Sequence, residues 1–312
     1  MRRDTSIAGL LLLAWLLPAG AGAGEVPADA VVADLPFLEG EAPRRIYLDL
    51  APEGSRPLRM LLDTGANVSV MTPGAARANG VRVRRLKIDP YRRATSLGRD
   101  LQFHVDTRSS DTGSRTDWEY GLLGGNFLAQ YVVEIDTVGR RVRFLDPKRY
   151  QVPERAPAGG EAVIPLKVVS NRPAVRIQVN EQPIELLLDT GASLSLLLSG
   201  ELARAAGVAS APDPDFRMAG VMGDVESERG VAERVQLGPF TFEDVETGVA
   251  PKGWFNQGYP GDSMLGYGIL EGFLVRIDYE RRRMWLRRGP VPGDSAQDAQ
   301  VPAGVESDHQ GE

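Results

Sequence analysis

Two copies of the tetrapeptide Asp-Thr-Gly-Ala are the strongest candidates for catalytic residues in this sequence. They lie at residues 63–66 and 189–192, in the segments MLLDTGANVSVM and LLLDTGASLSLL. Each aspartate follows a short apolar run, which predicts a position at the end of a buried strand. Two carboxylates held about 3 Å apart cannot both ionise easily, so the pair shares one proton and supplies both an acid and a base. Such a pair could activate a water molecule for hydrolysis.

The composition excludes several other kinds of catalytic site. The chain of 312 residues has no cysteine, which excludes thiol nucleophiles, disulfides and cysteine-ligated metals. Its two histidines are His104, in an alternating strand-like segment, and His309, in a polar tail. A Ser-His-Asp triad would depend on His104 alone, and a two-histidine zinc motif is absent. We therefore expect carboxylates to do the acid–base chemistry, without a metal or cofactor.

A third Asp-Thr-Gly, at residues 111–113, shows that the tripeptide alone is a weak signal. It follows Arg108-Ser109-Ser110 and precedes Ser114-Arg115, so it lacks the apolar run that precedes the other two copies. We interpret it as a turn in a polar loop.

The two flanked copies belong to an internal duplication. Residues 121–144 match residues 263–286 at a constant offset of 142, and the segment from Pro43 to Leu48 is echoed by the one from Pro173 to Val179. The matched positions include Gly124 with Gly266, Leu128 with Leu270, Ile135 with Ile277, and Asp136 with Asp278. The chain is therefore two copies of a unit of about 120 residues, joined by a segment rich in proline and glycine.

Most segments of each copy have the pattern of β-strands. RIYLDL, AVRIQV, YVVEID and FLVRID alternate apolar and polar residues, whereas RMLLD and IELLLD are apolar runs suited to strands buried on both faces. Helix is predicted only near 73–79 and 199–206. The sequence thus predicts an all-β fold with minor helix.

Each Asp-Thr-Gly-Ala copy is followed by an apolar-apolar-Gly segment, Leu122-Leu123-Gly124 or Met264-Leu265-Gly266, and this combination resembles the aspartic proteases. The resemblance covers most of residues 31–290. Alanine after the triplet is similar to the retropepsin-like type, found in viral and exported bacterial members, with both lobes fused in one chain. The resemblance implies a bilobal acid-protease fold of two pseudo-twofold-related, β-barrel-like lobes, and an endopeptidase with Asp63 and Asp189 as its catalytic dyad.

The neighbours of these aspartates are expected to support the dyad. Gly65 and Gly191 lack a Cβ, so backbone N–H groups can approach the carboxylates. The resemblance implies that Thr64 and Thr190 cross-link the two loops through their hydroxyls. Because Ala66 and Ala192 offer no hydroxyl to the carboxylates, we expect raised pKa values and an activity maximum at mildly acidic to neutral pH.

The family closes its cleft with a glycine-rich β-hairpin, the flap. In the second copy, residues 218–224 fit a hairpin tip, with Gly220, Val221, Met222 and Gly223 as the candidate flap residues. The alternative is a plain surface hairpin. In the first copy, residues 94–100 are interpreted as the equivalent hairpin, although they contain only one glycine.

The N terminus has the three-part pattern of a secretory signal peptide: Arg2 and Arg3, an apolar stretch, and a small-residue cleavage site at 21–23. An uncleaved membrane anchor is the alternative. The predicted organisation is a signal peptide (1–23), an N-terminal lobe (24–150), a linker (151–163), a C-terminal lobe (164–290) and a disordered tail (291–312). A net charge of −6 does not indicate a basic surface for binding nucleic acid.

We therefore expect an exported protein, periplasmic or secreted, that is monomeric, has no stable membrane insertion after signal cleavage, and acts on peptides or proteins. The alternative function is a non-catalytic peptide-binding module that retains the aspartic protease fold. Two facing carboxylates argue against that alternative, because binding alone has no use for groups that repel each other. A dyad completed only in a dimer is disfavoured by the tandem copies.

Overall fold

The structure is a computed structural model that describes residues 25–38, 44–50, 58–78, 91–94, 100–105, 121–156, 160–220, 223–251 and 263–289. The predicted signal peptide, the third Asp-Thr-Gly and the predicted tail lie outside these residues.

In the residues that the structure describes, the first copy of the repeat forms nine strands and two short α-helices. In chain order these are β1 (Val31–Pro36), β2 (Tyr47–Leu50), β3 (Leu58–Leu62), β4 (Ser69–Met71), α1 (Pro73–Ala78), β5 (Tyr91–Ala94), β6 (Asp100–Val105), β7 (Gly121–Leu123), α2 (Gly125–Leu128), β8 (Val132–Asp136) and β9 (Arg141–Leu145).

The described part of the second copy forms ten strands and two short α-helices. They are β10 (Glu161–Val169), β11 (Arg172–Val179), β12 (Gln182–Asp189), β13 (Leu196–Ser199), α3 (Gly200–Ala205), β14 (Ser210–Gly220), β15 (Gly223–Leu237), β16 (Phe240–Ala250), β17 (Met264–Gly266), α4 (Tyr267–Leu270), β18 (Phe273–Asp278) and β19 (Arg283–Arg288). β10 begins at Glu161, so the predicted linker (151–163) includes the first residues of a strand.

The all-β prediction is confirmed, and the two predicted helical segments correspond to α1 and α3. Helices α2 and α4 were not predicted. Each is a single turn of four residues that directly follows the glycine of the Leu-Leu-Gly or Met-Leu-Gly strand. A single turn is too short to show a helical period in the sequence, so tertiary contacts rather than local pattern decide its conformation.

Six antiparallel strands, in the order β1-β9-β8-β18-β19-β10, join the two copies. The first three strands come from the first copy and the last three from the second, so the order is symmetric about the β8–β18 pairing. This bilobal arrangement is the fold predicted from the family resemblance. One apolar core cluster extends through both copies and contains Leu62 and Leu188, the residues that precede the two aspartates.

Among the residues that the structure describes, no helix combines the length and apolar character needed to cross a membrane.

Candidate active site

Each aspartate lies at the end of a central strand that is buried in its lobe. Asp63 follows β3 and Asp189 ends β12. Both strands pair in parallel with the strand that carries the apolar-apolar-Gly segment, β7 in the first lobe and β17 in the second. Because the flanking leucines are buried, neither strand can slip in register without exposing apolar side chains. The positions of the two carboxyl groups are therefore set by the core of each lobe.

The loop after each aspartate is held by equivalent backbone contacts in the two lobes. The carbonyl oxygen of Ala66 accepts a hydrogen bond of 2.8 Å from Gly125 N, and that of Ala192 accepts one of 2.8 Å from Tyr267 N. A Cβ at Gly124 would lie 2.4 Å from Val68 O, and one at Gly266 would lie 2.1 Å from Leu194 O. Glycine at the end of the apolar-apolar-Gly segment is therefore required by close backbone packing under the loop.

Asn126 supports the first loop and was missed by the sequence analysis. Its Oδ1 accepts hydrogen bonds from Ser69 N at 2.7 Å and from Ser69 Oγ at 2.8 Å, and Ser69 Oγ accepts one from Gly124 N at 3.0 Å. The equivalent of Asn126 in the second lobe is Gly268, where a Cβ would lie 2.3 Å from Ser195 Oγ. Because the asparagine is not repeated, the duplication itself gave no signal for it.

Thr64 and Thr190 link the two loops through four hydrogen bonds that are related by the pseudo-twofold symmetry. Thr64 Oγ1 donates to Leu188 O at 2.6 Å and accepts from Thr190 N at 3.0 Å. Thr190 Oγ1 donates to Leu62 O at 2.7 Å and accepts from Thr64 N at 3.2 Å. Both threonines are fully buried. The contacts are those expected from the family resemblance, and they fix the separation of the two loops.

The structure brings the carboxyl groups of Asp63 and Asp189 together, so that the charge of Asp189 acts directly on Asp63. Each carboxyl group also accepts from the backbone of its own loop: Asp63 Oδ1 from Ala66 N and Asp189 Oδ1 from Gly191 N, both at 2.8 Å. Asp189 is 9% exposed and Asp63 is partly buried. The pair is therefore oriented by fixed donors.

The two glycines of the loops leave the space in which the carboxyl groups meet. A Cβ at Gly65 would lie 2.5 Å from Asp189 Cγ, and a Cβ at Gly191 would lie 2.9 Å from Asp63 Cγ. Any side chain here would push against the carboxyl group of the opposite lobe. The glycine of each triplet is thus required by the close approach of the two halves.

Both carboxyl groups have pKa values above the ordinary range. Burial is the largest cause for Asp63, and the negative charge of Asp189 raises its pKa further, well above the usual value. Burial likewise raises the pKa of Asp189, although hydrogen bonds from the backbone N–H of Gly191 and from Asp63 partly oppose the increase. Because the two groups titrate as one unit, the pair retains a proton to higher pH than an isolated aspartate would.

The hairpin predicted at residues 218–224 is present between β14 and β15. Its antiparallel register pairs Met218 with Val225, Ala219 with Asp224 and Gly220 with Gly223. Val221 and Met222, the other two candidate flap residues, lie outside the described residues.

The equivalent hairpin assigned to the first copy, at residues 94–100, was wrong. β6 pairs in parallel with β4, as β16 pairs in parallel with β13. The β5–β6 hairpin therefore corresponds to β15–β16 and not to β14–β15. The sequence shows that strands alternate with turns, but only the pairing shows which hairpin of one lobe matches which hairpin of the other.

Within the described ranges, no group of three or more histidine, aspartate or glutamate side chains is arranged to hold a metal ion. His104 lies in β6, as its alternating pattern predicted.

Several known proteins are similar to this chain in sequence or in structure. A family model described as aspartyl protease matches residues 175–269, which include the second Asp-Thr-Gly loop and β17. A retropepsin-like aspartic protease from Rickettsia conorii is similar at 23% identity over 41% of this chain and 91% of its own, with a TM-score of 0.31. Basic 7S globulin from soybean is similar at 14% identity over 81% of this chain and 94% of its own, with a TM-score of 0.45.

No curated protein matches the sequence. The family match lies within the second copy of the duplicated unit. The first copy carries the same Asp-Thr-Gly-Ala loop beside the equivalent apolar-apolar-Gly strand. Residues 175–269 of this chain therefore carry the sequence pattern of the aspartyl protease family.

Proposed function

We propose that this protein is an aspartic endopeptidase in which Asp63 and Asp189 form the catalytic dyad. The observation that carries the proposal is the meeting of two carboxyl groups on symmetry-related, cross-linked loops, so close that each triplet glycine faces the opposite carboxyl group. The pKa values of both carboxyl groups are raised. Two carboxyl groups buried side by side lower the stability of the folded state, which favours a functional reason for their presence. Carboxyl groups with strongly perturbed pKa values cluster at catalytic sites.

The proposed reaction uses the single proton of the dyad. The ionised carboxylate removes a proton from a water molecule, whose oxygen bonds to the peptide carbonyl carbon, while the protonated carboxyl group donates to the carbonyl oxygen. The resulting gem-diol breaks down as the C–N bond cleaves: the newly protonated carboxyl group donates its proton to the leaving nitrogen, and the other carboxylate accepts a proton from a gem-diol hydroxyl. This transfer leaves one proton on the pair again. The N–H groups of Ala66 and Gly191 hold the carboxyl groups in place throughout, which provides the positioning that this chemistry requires.

The substrate is proposed to be an extended peptide that binds between the lobes, beneath the hairpin of β14 and β15. Main-chain hydrogen bonds would supply much of its affinity, as in β-strand addition. Residues 220–223 would act as the flap. We also propose that the protein works as a monomer, since the same chain supplies both aspartates of the dyad. The signal-peptide pattern at residues 1–23 supports the further proposal that it works in an exported compartment.

The raised pKa values of Asp63 and Asp189 determine in which direction the pH range of activity is shifted. The active form holds one proton on the pair, so activity rises as pH passes the lower pKa of the pair and falls as pH passes the upper one. An upward shift of both values moves this window upward. We therefore expect a maximum at mildly acidic to neutral pH.

The experiment is cleavage of a peptide library from pH 3 to pH 8, with products identified by mass spectrometry. The proposal predicts internal cleavage, inhibition by pepstatin and a maximum between about pH 5 and pH 7. Cleavage with a maximum near pH 2 would contradict the expected pH range but not the proposal that the protein is a protease. Peptides that bind without being cleaved at any pH would instead favour the non-catalytic peptide-binding module.

A further inference from the structure

A buried ion pair lies at the centre of the sheet that joins the two lobes. Glu134 in β8 faces Arg276 in β18, and Arg276 Nε donates to Glu134 Oε2 at 2.6 Å. Glu134 is 1% exposed and Arg276 is 2% exposed. We call Glu134 and Arg276 the axial ion pair, because the pseudo-twofold axis passes through it.

The register of β8 and β18 establishes this position. The ladder pairs Leu274 with Asp136, Val275 with Ile135, Arg276 with Glu134, Ile277 with Val133, and Asp278 with Val132. The two copies of the repeat are offset by 142 residues in this region, as Asp136 and Asp278 show. Only Glu134 and Arg276, among these five pairs, are 142 residues apart. At the axial position, therefore, the equivalent residues of the two lobes pair directly with each other.

Pairing of two identical halves would place the same residue on both sides of the axis. Two N-terminal halves would bring Glu134 against a second Glu134, and two C-terminal halves would bring Arg276 against a second Arg276. Like charges directly opposite each other across antiparallel strands are destabilising, and burial increases the cost. The axial residues of the two copies carry opposite charges, so an N-terminal half is complementary in charge only to a C-terminal half.

The residues around the axial ion pair make the repulsion between like charges largest when two C-terminal halves pair. Glu134 also forms an ion pair with Arg143 of its own lobe, so a second glutamate would still have a cation nearby. The equivalent of Arg143 is Trp285, whose ring lies 4.2 Å from the Arg276 guanidinium carbon. Arg276 Nη1 donates to Tyr150 Oη at 2.8 Å. Two C-terminal halves would therefore place two guanidinium groups face to face between indole rings.

We propose that the axial ion pair determines which halves can pair: it directs an N-terminal half to a C-terminal half and excludes pairing of like halves between two copies of the chain. The dyad needs one Asp-Thr-Gly loop from each partner, so the axial ion pair also ensures that each complete site contains both Asp63 and Asp189.

Charge reversal in full-length chains tests this proposal. The E134R chain carries arginine at both axial positions, and the R276E chain carries glutamate at both. Each is unfolded and refolded alone and as an equimolar mixture, with one chain isotopically labelled. Dimers are counted by light scattering and native mass spectrometry. We expect the mixture to contain at least about ten times more mixed dimer than either variant forms alone, because only exchange of halves between chains restores opposite charges.

The control is the exposed pair Lys167 and Glu185, separated by 2.9 Å and located entirely within the second lobe. A mixture of K167E and E185K should show no gain in dimer, since exchanging halves leaves these two residues on the same half. The mixing measurement remains valid even if a reversed chain does not fold alone, because the complementary chain supplies the missing charge. Equal dimer content in the E134R and R276E mixture and in the separate preparations would overturn the proposal.

Discussion

Replacing Asp63 with asparagine is expected to lower kcat/KM for peptide cleavage by at least about 10³-fold, because the amide can neither share the proton of the pair nor act as a base. The fold should tolerate the change. The folded-state pKa of Asp63 is raised, so wild-type stability decreases as pH rises from the ordinary aspartate pKa of about 3.9 toward the folded-state value. D63N removes this loss, and its melting temperature at pH 7 should be no lower than that of wild type.

The sequence provides a matched control in the third Asp-Thr-Gly. D111N makes the same chemical change in the same tripeptide, but without the preceding apolar run. We expect its kcat/KM to equal that of wild type, whereas D189N should behave like D63N. Activity retained in D63N and lost in D111N would show that the dyad has been assigned to the wrong residues.

Replacing Thr64 with valine is expected to reduce the free energy of unfolding by about 2–6 kcal/mol. Valine keeps the shape of the side chain but leaves the carbonyl of Leu188 and the N–H of Thr190 without their buried hydrogen bonds, and each unsatisfied group costs about 1–3 kcal/mol. The loops should also lose their fixed separation, which lowers kcat by roughly 10²-fold. Urea denaturation and steady-state kinetics measure the two effects.

Thr64→Ser retains the hydroxyl and is the control for this experiment; its stability should stay close to that of wild type. T190V should match T64V, because the contacts of the two threonines are symmetric. The double variant should lose less than the sum of the single losses, since the threonines share one network. Full stability in both single valine variants would mean that these hydrogen bonds do not hold the lobes together.

The duplication made the site predictable from sequence. Equivalent apolar runs before Asp63 and Asp189 specified two central strands, and burial of both runs left few alternatives for where the loops could meet. The pseudo-symmetry then placed both aspartates at the same interface. The fold class followed from the strand patterns and the family resemblance.

Features that differ between the copies were not predictable in the same way. Asn126 supports only the first loop, and the correct match of the β5–β6 hairpin depended on strand pairing. Glu134 and Arg276 each occur in an alternating strand segment that gives no sign of burial. Their partnership depends on the register of β8 against β18, a long-range contact that is not encoded in either local pattern.

An NMR titration of aspartate carboxyl carbons would test directly whether the two carboxyl groups share a proton, with the Asp63 resonance assigned by its absence from D63N. We expect Asp63 to titrate well above pH 3.9 in wild type, and its pKa to fall in D189N because the neighbouring negative charge is removed. Burial should keep the pKa above the ordinary value even then. An Asp63 that titrates with an ordinary pKa, unchanged by D189N, would contradict the central claim that the two carboxyl groups share one proton.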